Sequence, residues 1–137
     1  MAYWILKTEP ATYTIADLAR DGTTVWDGVA NAQALINLRR MQPDDDALIY
    51  HSGGERAIVG TARITSAAYV DPKLDDPQRV VVDVAMGQLL DRPITLAAIK
   101  ADPAFADLAL VRQPRLSVVP VNNKQWQRLR EMLNAEC

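Results

Sequence analysis

Three stretches of this chain carry side chains whose types and spacing could do chemistry. The first is Val25-Trp26-Asp27-Gly28-Val29-Ala30-Asn31. Here an indole stands beside a carboxylate at an Asp-Gly turn, and Asn31 is placed to cap a helix starting at Ala32. An aromatic plate, one carboxylate and the N–H groups of a helix start suit the grip of a flat polar ring: the plate stacks while the polar groups read the ring's edge. The competing reading is that Trp26 is a packing element of the core, the commoner fate of a tryptophan. The second stretch, Lys7-Thr8-Glu9-Pro10, crowds a cation, a hydroxyl and a carboxylate at a strand end. Glu9 and Asp27 both follow short strands, so they could converge for general acid/base work; they could equally fix a ligand by hydrogen bonding or face water. The third is Tyr50-His51-Ser52.

Several chemistries are excluded by count and spacing. His51 is the only histidine and Cys137 the only cysteine, at the last position. Adjacent strand residues point to opposite faces, so His51 does not serve Ser52 and no nucleophilic triad is expected. One thiol allows no internal disulfide, in keeping with a reducing cytosol, and a Cys/His metal site is unavailable. Asp75 and Asp76 read as a solvated loop, so no metal is expected. No glycine-rich phosphate cradle occurs, and no cofactor is expected. The chain has 137 residues, 49% hydrophobic and 23% charged, with net charge −2 and a pI near 5.3. That balance fits one domain spanning 1–137 and counts against a broad basic face for nucleic-acid backbone. No run approaches the roughly 20 apolar residues of a membrane helix, and no signal peptide is read, so a cytoplasmic protein with no membrane partner is expected.

The elements that must position these residues follow from periodicity. Tyr3–Lys7 reads as a strand stopped by Glu9-Pro10. Thr14 caps a short helix with Asp17 in its first turn, ended at Asp21-Gly22. Thr23–Trp26 is a short strand. The helix from Ala32 to about Met41 has an apolar stripe of Ala34, Leu35, Leu38 and Met41; Gln33, Ile36, Asn37 and Arg40 fall on the other side. Pro43–Asp46 is a turn whose three carboxylates are expected to face water. Ala47–Ser52 and Ala57 to about Ala68 form a hairpin through Gly53-Gly54-Glu55, with Gly60 marking a bulge or a close backbone approach. Asp71–Gln78 is an exposed loop and Val80 to about Leu90 a long strand. Thr95 caps a short helix to Lys100, and Pro103–Leu108 gives another helical turn. Arg115–Val121 is the last strand, with Pro120 at an edge or an end. Asn123 caps a terminal helix with Trp126, Leu129, Met132 and Leu133 on its apolar face. Strands cluster mid-chain without βαβ alternation, which predicts an α+β protein: a mixed, mostly antiparallel sheet curled into a barrel with short helices outside.

With those motifs in place the chain resembles the EVE domain family. The resemblance is carried by Tyr3–Pro10, Trp26-Asp27-Gly28-Val29, Asn31, Leu38-Arg39, Tyr50-His51-Ser52, Ile58-Val59-Gly60, Pro93–Leu96 and Leu110–Val118. It implies a PUA-like pseudo-barrel and kinship with YTH domains, which read methylated adenine. It further implies a non-catalytic module that recognises a modified or flipped base of DNA or RNA. Trp26 would stack on the base, Lys7, Thr8, Glu9, Asp27 and Asn31 would meet its edge, and Tyr50, His51 and Ser52 would line the floor. Arg112 and Arg115 would meet phosphate. Where many members carry Arg-Asn-Tyr-Gln-Ala-Arg-Asn, this chain has Ala30 to Ile36, with Ala30, Ala32, Leu35 and Ile36 replacing polar groups. Trp26→Ala is expected to abolish binding and leave the fold intact. The alternative is an ASCH-type amidohydrolase acting on acylated nucleosides through Lys7, Thr8 and Glu9, which requires the strand to bend near Pro10. A monomer is the expected state.

Overall fold

Residues Ile5 and Leu6, consecutive in strand β1 (Tyr3–Thr8), are both fully buried. Successive strand side chains point to opposite faces, so β1 is covered on both. It lies between β3 (Asp46–His51), to which it is parallel, and β7 (Val118–Val121), to which it is antiparallel. The structure, a computed structural model, describes residues 2–53 and 56–134. Cys137 and most of the expected Gly53-Gly54-Glu55 turn lie outside the described residues.

The other strands are β2 (Thr23–Trp26), β4 (Ala57–Ile64), β5 (Tyr69–Val70) and β6 (Val80–Thr95). The sheet order is β2-β6-β4-β3-β1-β7, with β5 paired to β6, and every pairing but β1–β3 is antiparallel. This is the mixed, mostly antiparallel sheet the sequence predicts. Its two terminal strands, β2 and β7, are not paired among the described residues, so the barrel is not closed.

Helix α1 (Ile15–Asp21) begins with a reciprocal capping box. Thr14 Oγ1 accepts from Asp17 N–H at 3.0 Å and Asp17 Oδ2 accepts from Thr14 N–H at 2.9 Å. It ends at Gly22, whose φ of +77° suits a residue without a side chain. Helix α2 (Ala32–Arg40) is capped by Asn31, whose Oδ1 accepts from Ala34 N–H at 3.0 Å. Its apolar stripe is buried and Ile36 is exposed, as the wheel predicts. Helices α3 (Leu96–Ala101) and α4 (Ala109–Arg112) are short, and α5 (Asn123–Asn134) packs Trp126 and Leu129 into the core. No helix of the described residues is long and apolar enough to cross a membrane. At Gly60 a Cβ would come within 2.7 Å of the Ile15 side chain, and the β3–β4–β6 register shifts around it.

Polar residues account for most of the departures from expectation. Asp45 does not face water: it is 4% exposed and accepts from Ala2 N–H (3.1 Å), Trp4 Nε1–H (3.1 Å) and Gln42 N–H (3.0 Å). Three donors offset the cost of burying a carboxylate. Asn37 is buried rather than on a wet face; its Nδ2 donates to Val118 O at 2.8 Å, tying α2 to β7. Asp71 is buried in the otherwise exposed loop and accepts from Lys73 N–H at 2.9 Å. Strand β4 stops at Ile64 rather than near Ala68. Strand β6 continues to Thr95 rather than Leu90, because Ile94 and Thr95 re-pair with Ile58 and Ala57 beyond the bulge. The last strand begins at Val118, where its β-branched residues begin, three residues later than the expected start at Arg115. Helix α5 is capped by Asn122 rather than Asn123, its Oδ1 accepting from Gln125 N–H at 2.8 Å.

Candidate functional site

A cleft of about 590 Å³ opens where the two free ends of the sheet come together. Lys7, Thr8 and Glu9 reach it from the end of β1, and Thr12 and Tyr13 from the approach to α1. Thr24, Val25 and Trp26 of β2 form the facing wall, with Asp27, Gly28 and Val29 of the following turn. Ser117, just before β7, and Lys73, from the loop after β5, complete it.

Local turns explain how consecutive strand residues share one hollow. The carbonyl of Glu9 accepts from both Thr12 N–H and Tyr13 N–H at 2.9 Å, so the chain folds back on itself directly after β1. That turn brings Tyr13 against Trp26, with ring centroids 6.5 Å apart and planes at 88°. The second wall turns at Gly28, where φ is +77°. The result is an aromatic corner: a planar ring laid on one of these side chains meets the other at right angles. Trp26 is 7% exposed and belongs to the continuous core, as the packing reading has it, and it also borders the cleft. Most of the indole packs inside, and a limited area borders the cleft. The expectation that Trp26→Ala leaves the fold intact is therefore corrected, since alanine there would leave a void in the interior.

The polar groups divide into acceptors and donors. Glu9 and Asp27 are exposed carboxylates. Ser52 Oγ sits 3.4 Å from Glu9 Oε2 and donates to Thr8 O at 3.3 Å. Gly53, at φ +94°, passes so close that a Cβ would lie 2.9 Å from Glu9 Oε1. Lys7 is half-buried; its Nζ donates to Pro114 O at 2.9 Å and lies 5.7 Å from the centre of the Tyr50 ring. Burial holds its ammonium below the usual lysine range. Thr8 Oγ1 donates to Tyr13 O at 2.8 Å. Lys7, Thr8 and Glu9 all line the cleft, as an amidohydrolase would need. Yet no side-chain hydrogen bond joins any two of them; the ammonium and the hydroxyl are each held by a backbone carbonyl.

Of the residues singled out in the sequence, Lys7, Thr8, Glu9, Trp26 and Asp27 meet here. Asn31 caps α2 and borders a neighbouring hollow of about 390 Å³ together with Gln33, Pro114 and Arg115. Tyr50 is buried beneath Lys7. His51 is also buried, its Nε2 accepting from Ile15 N–H at 3.0 Å, so it steadies the start of α1. Arg112 is turned onto its own segment, Nε donating to Ala106 O at 2.6 Å. Sequence reasoning missed Tyr13, Ser117 and Lys73. The Glu9-Pro10 turn is a signal for Tyr13, because it reverses the chain toward the first wall. Ser117 and Lys73 have no local signal; tertiary pairing alone delivers them.

Comparison with known proteins matches residues 2–132 to the EVE domain. Rat (Rattus norvegicus) thymocyte nuclear protein 1 is 30% identical over 98% of this chain and 74% of its own length. A crystal structure from Pseudomonas putida is 38% identical, covers 96% of this chain and 99% of its own, and superposes with a TM-score of 0.89. The human THYN1 protein, solved in complex with 5-methylcytosine containing DNA, is 28% identical over 97% of this chain and 98% of its own, with a TM-score of 0.88.

Proposed function

The chain belongs to the EVE domain family, and from that premise we propose that its cleft receives a modified base of DNA, turned out of the stack and bound without chemical change. The observation that carries this reading is the aromatic corner of Trp26 and Tyr13 facing a row of edge-reading groups in a hollow of about 590 Å³. Extruding a base costs a few kcal/mol. Stacking on an aromatic returns about 1–3 kcal/mol, and less where only part of the indole is accessible. Edge hydrogen bonds therefore decide both affinity and choice.

The inventory favours a cytosine-type edge. Glu9 and Asp27 only accept, which suits an exocyclic amino group such as cytosine N4; Lys7 and Ser117 can donate to the base's carbonyl oxygen or ring nitrogen. The methyl of a modified base fits the apolar side formed by Val29 and the aromatic pair. A human protein of the same fold, solved with 5-methylcytosine containing DNA, supports the assignment. Ala30, Ala32 and Ile36 offer no polar group at the start of α2, so contact with the DNA backbone falls to Lys73 at the cleft and to Arg115 in the adjoining hollow.

The test is fluorescence anisotropy at fixed salt with matched duplexes carrying 5-methylcytosine or cytosine. The modified duplex binds tighter, and Asp27→Asn and Glu9→Gln each weaken it about tenfold, the low end for a hydrogen bond to a charged group. Both carboxylates are exposed, so thermal stability is unchanged. Identical binding of both duplexes by the parent and both variants would reject the reading.

A further inference from the structure

A second hollow, of about 550 Å³, lies at the opposite end of the β1–β3 pair, between the outer sheet surface and α5. Two arginines line it, Arg63 at the end of β4 and Arg130 on α5, and both are exposed. Neither guanidinium has a hydrogen bond or ion pair among the described residues, although Asp46 stands directly opposite Arg63 in the β3–β4 ladder. Some arginines on this surface find partners, as Arg20 does with Asp17 and Asp21 and Arg128 with Asp102 and Glu131, whereas Arg40 and Arg92 stand in solvent as these two do. One solvated arginine means nothing. Two border this single hollow, and Asp46, which also lines it, binds neither, so both planar guanidinium forks keep their donors open toward an anion.

The wall beside them is apolar. Trp126, 8% exposed, stacks one face on Tyr3 with centroids 4.5 Å apart and planes at 14°, and Leu133 lies one helical step beyond Arg130 on the same lining. Gly87 leaves the floor bare, since a Cβ there would lie 2.3 Å from Thr61 Oγ1. The volume is in the usual range for a small-molecule site, roughly 300–1,000 Å³. We propose that this hollow binds an organic phosphate, its phosphoryl group between Arg63 and Arg130 and its flat apolar body against Trp126 and Leu133. The assignment stands apart from the base cleft, which uses none of these residues.

Phenyl phosphate serves as the probe, titrated into the full chain and followed by calorimetry and by the tryptophan indole NMR signals. Saturable one-to-one binding that moves the Trp126 indole and spares that of Trp26 is expected. The double variant Arg63→Gln/Arg130→Gln raises Kd at least about tenfold at unchanged melting temperature, because charge-assisted bonds are lost from exposed positions. Inorganic phosphate and benzoate each bind at least about tenfold more weakly, lacking the body or the third oxygen. The proposal is overturned by absence of saturation in the parent, by equal affinity in the double variant, or by a response at Trp26 instead of Trp126. Equal affinity for inorganic phosphate or benzoate overturns the organic-phosphate assignment.

Discussion

Replacing Trp26 separates its packing role from its role in the cleft. The indole is 7% exposed within the continuous core. An aromatic of its size buries on the order of 200 Å², which at about 25 cal/mol per Å² gives an upper figure near 5 kcal/mol. The denatured chain already hides about 10–40% of such surface, leaving roughly 3–4.5 kcal/mol. The perpendicular contact with Tyr13 adds about 1 kcal/mol. Trp26→Ala is therefore expected to lower the unfolding free energy by about 4–5.5 kcal/mol, at the top of the range for large-to-small core changes. That is a large part of the roughly 5–15 kcal/mol that holds a domain folded. Trp26→Phe keeps an aromatic wall and costs about 1–2 kcal/mol. It changes affinity for methylated DNA by less than about tenfold, since stacking contributes only about 1–3 kcal/mol per base. Urea unfolding by circular dichroism gives the stabilities, and anisotropy below the unfolding onset gives the affinities. Should Trp26→Ala lose less than about 1 kcal/mol, below every large-to-small core change of this kind, the indole is a free plate in the cleft and the reasoning fails.

Other outcomes follow from single contacts. Lys73→Gln is expected to lower the salt dependence of DNA binding by about one in log–log slope. Arg112→Gln leaves that slope unchanged, because Arg112 already donates to Ala106 O; equal slopes for parent and Lys73→Gln would remove Lys73 from the interface. Asp45→Ala strands the Trp4 indole N–H and two backbone N–H groups, and should cost about 3 kcal/mol in urea unfolding; a loss under about 1 kcal/mol would mean that water replaces the carboxylate fully. The hydrogen bond to Asp83, followed by partial burial, pushes the Tyr69 phenol up to about 12. Its folded pKa lies above the unfolded one, so its contribution to stability is full below the ordinary phenol range and is lost as pH rises toward that value. Burial also raises the Tyr13 and Tyr50 phenols, so ultraviolet titration of the folded protein should show several phenols ionising late, and Tyr69→Phe should remove the last of these steps.

What was legible in the sequence was local. The capping box at Thr14 and Asp17, the Asn31 cap, the stop at Gly22 and the constraint at Gly60 are each written in a few adjacent residues, and the structure has them. Lys7, Thr8, Glu9, Trp26 and Asp27 could be singled out because they stand at or just after the ends of two short strands; that those ends share one cleft is a tertiary fact. Polarity misled where it was equated with exposure. Asn37 and Asp45 lie inside because distant backbone and side-chain groups, Val118 O and the N–H groups near the amino end, satisfy them. Asn31, Tyr50 and His51 are near the cleft in sequence logic but are spent on a helix cap, a core position and the start of α1. Lys73 and Ser117 come from segments whose own patterns say nothing of a site. The α+β sheet was readable from strand clustering. Its failure to close was not, since that depends on two strands, β2 and β7, that are far apart in sequence and never pair.

That missing pairing gives the cleft a mechanical property. Because no ladder stitches β2 to β7, the jaws on either side of the cleft are hinged on turns rather than riveted together. Spreading them by the width of a methyl group breaks no β2–β7 ladder bond and is resisted by side-chain packing such as the Tyr13–Trp26 contact. A sealed barrel would meet the same intrusion with its whole hydrogen-bonded hoop. Tolerance for a guest of slightly different girth is thus a matter of compliance, set by the gap between two strand edges.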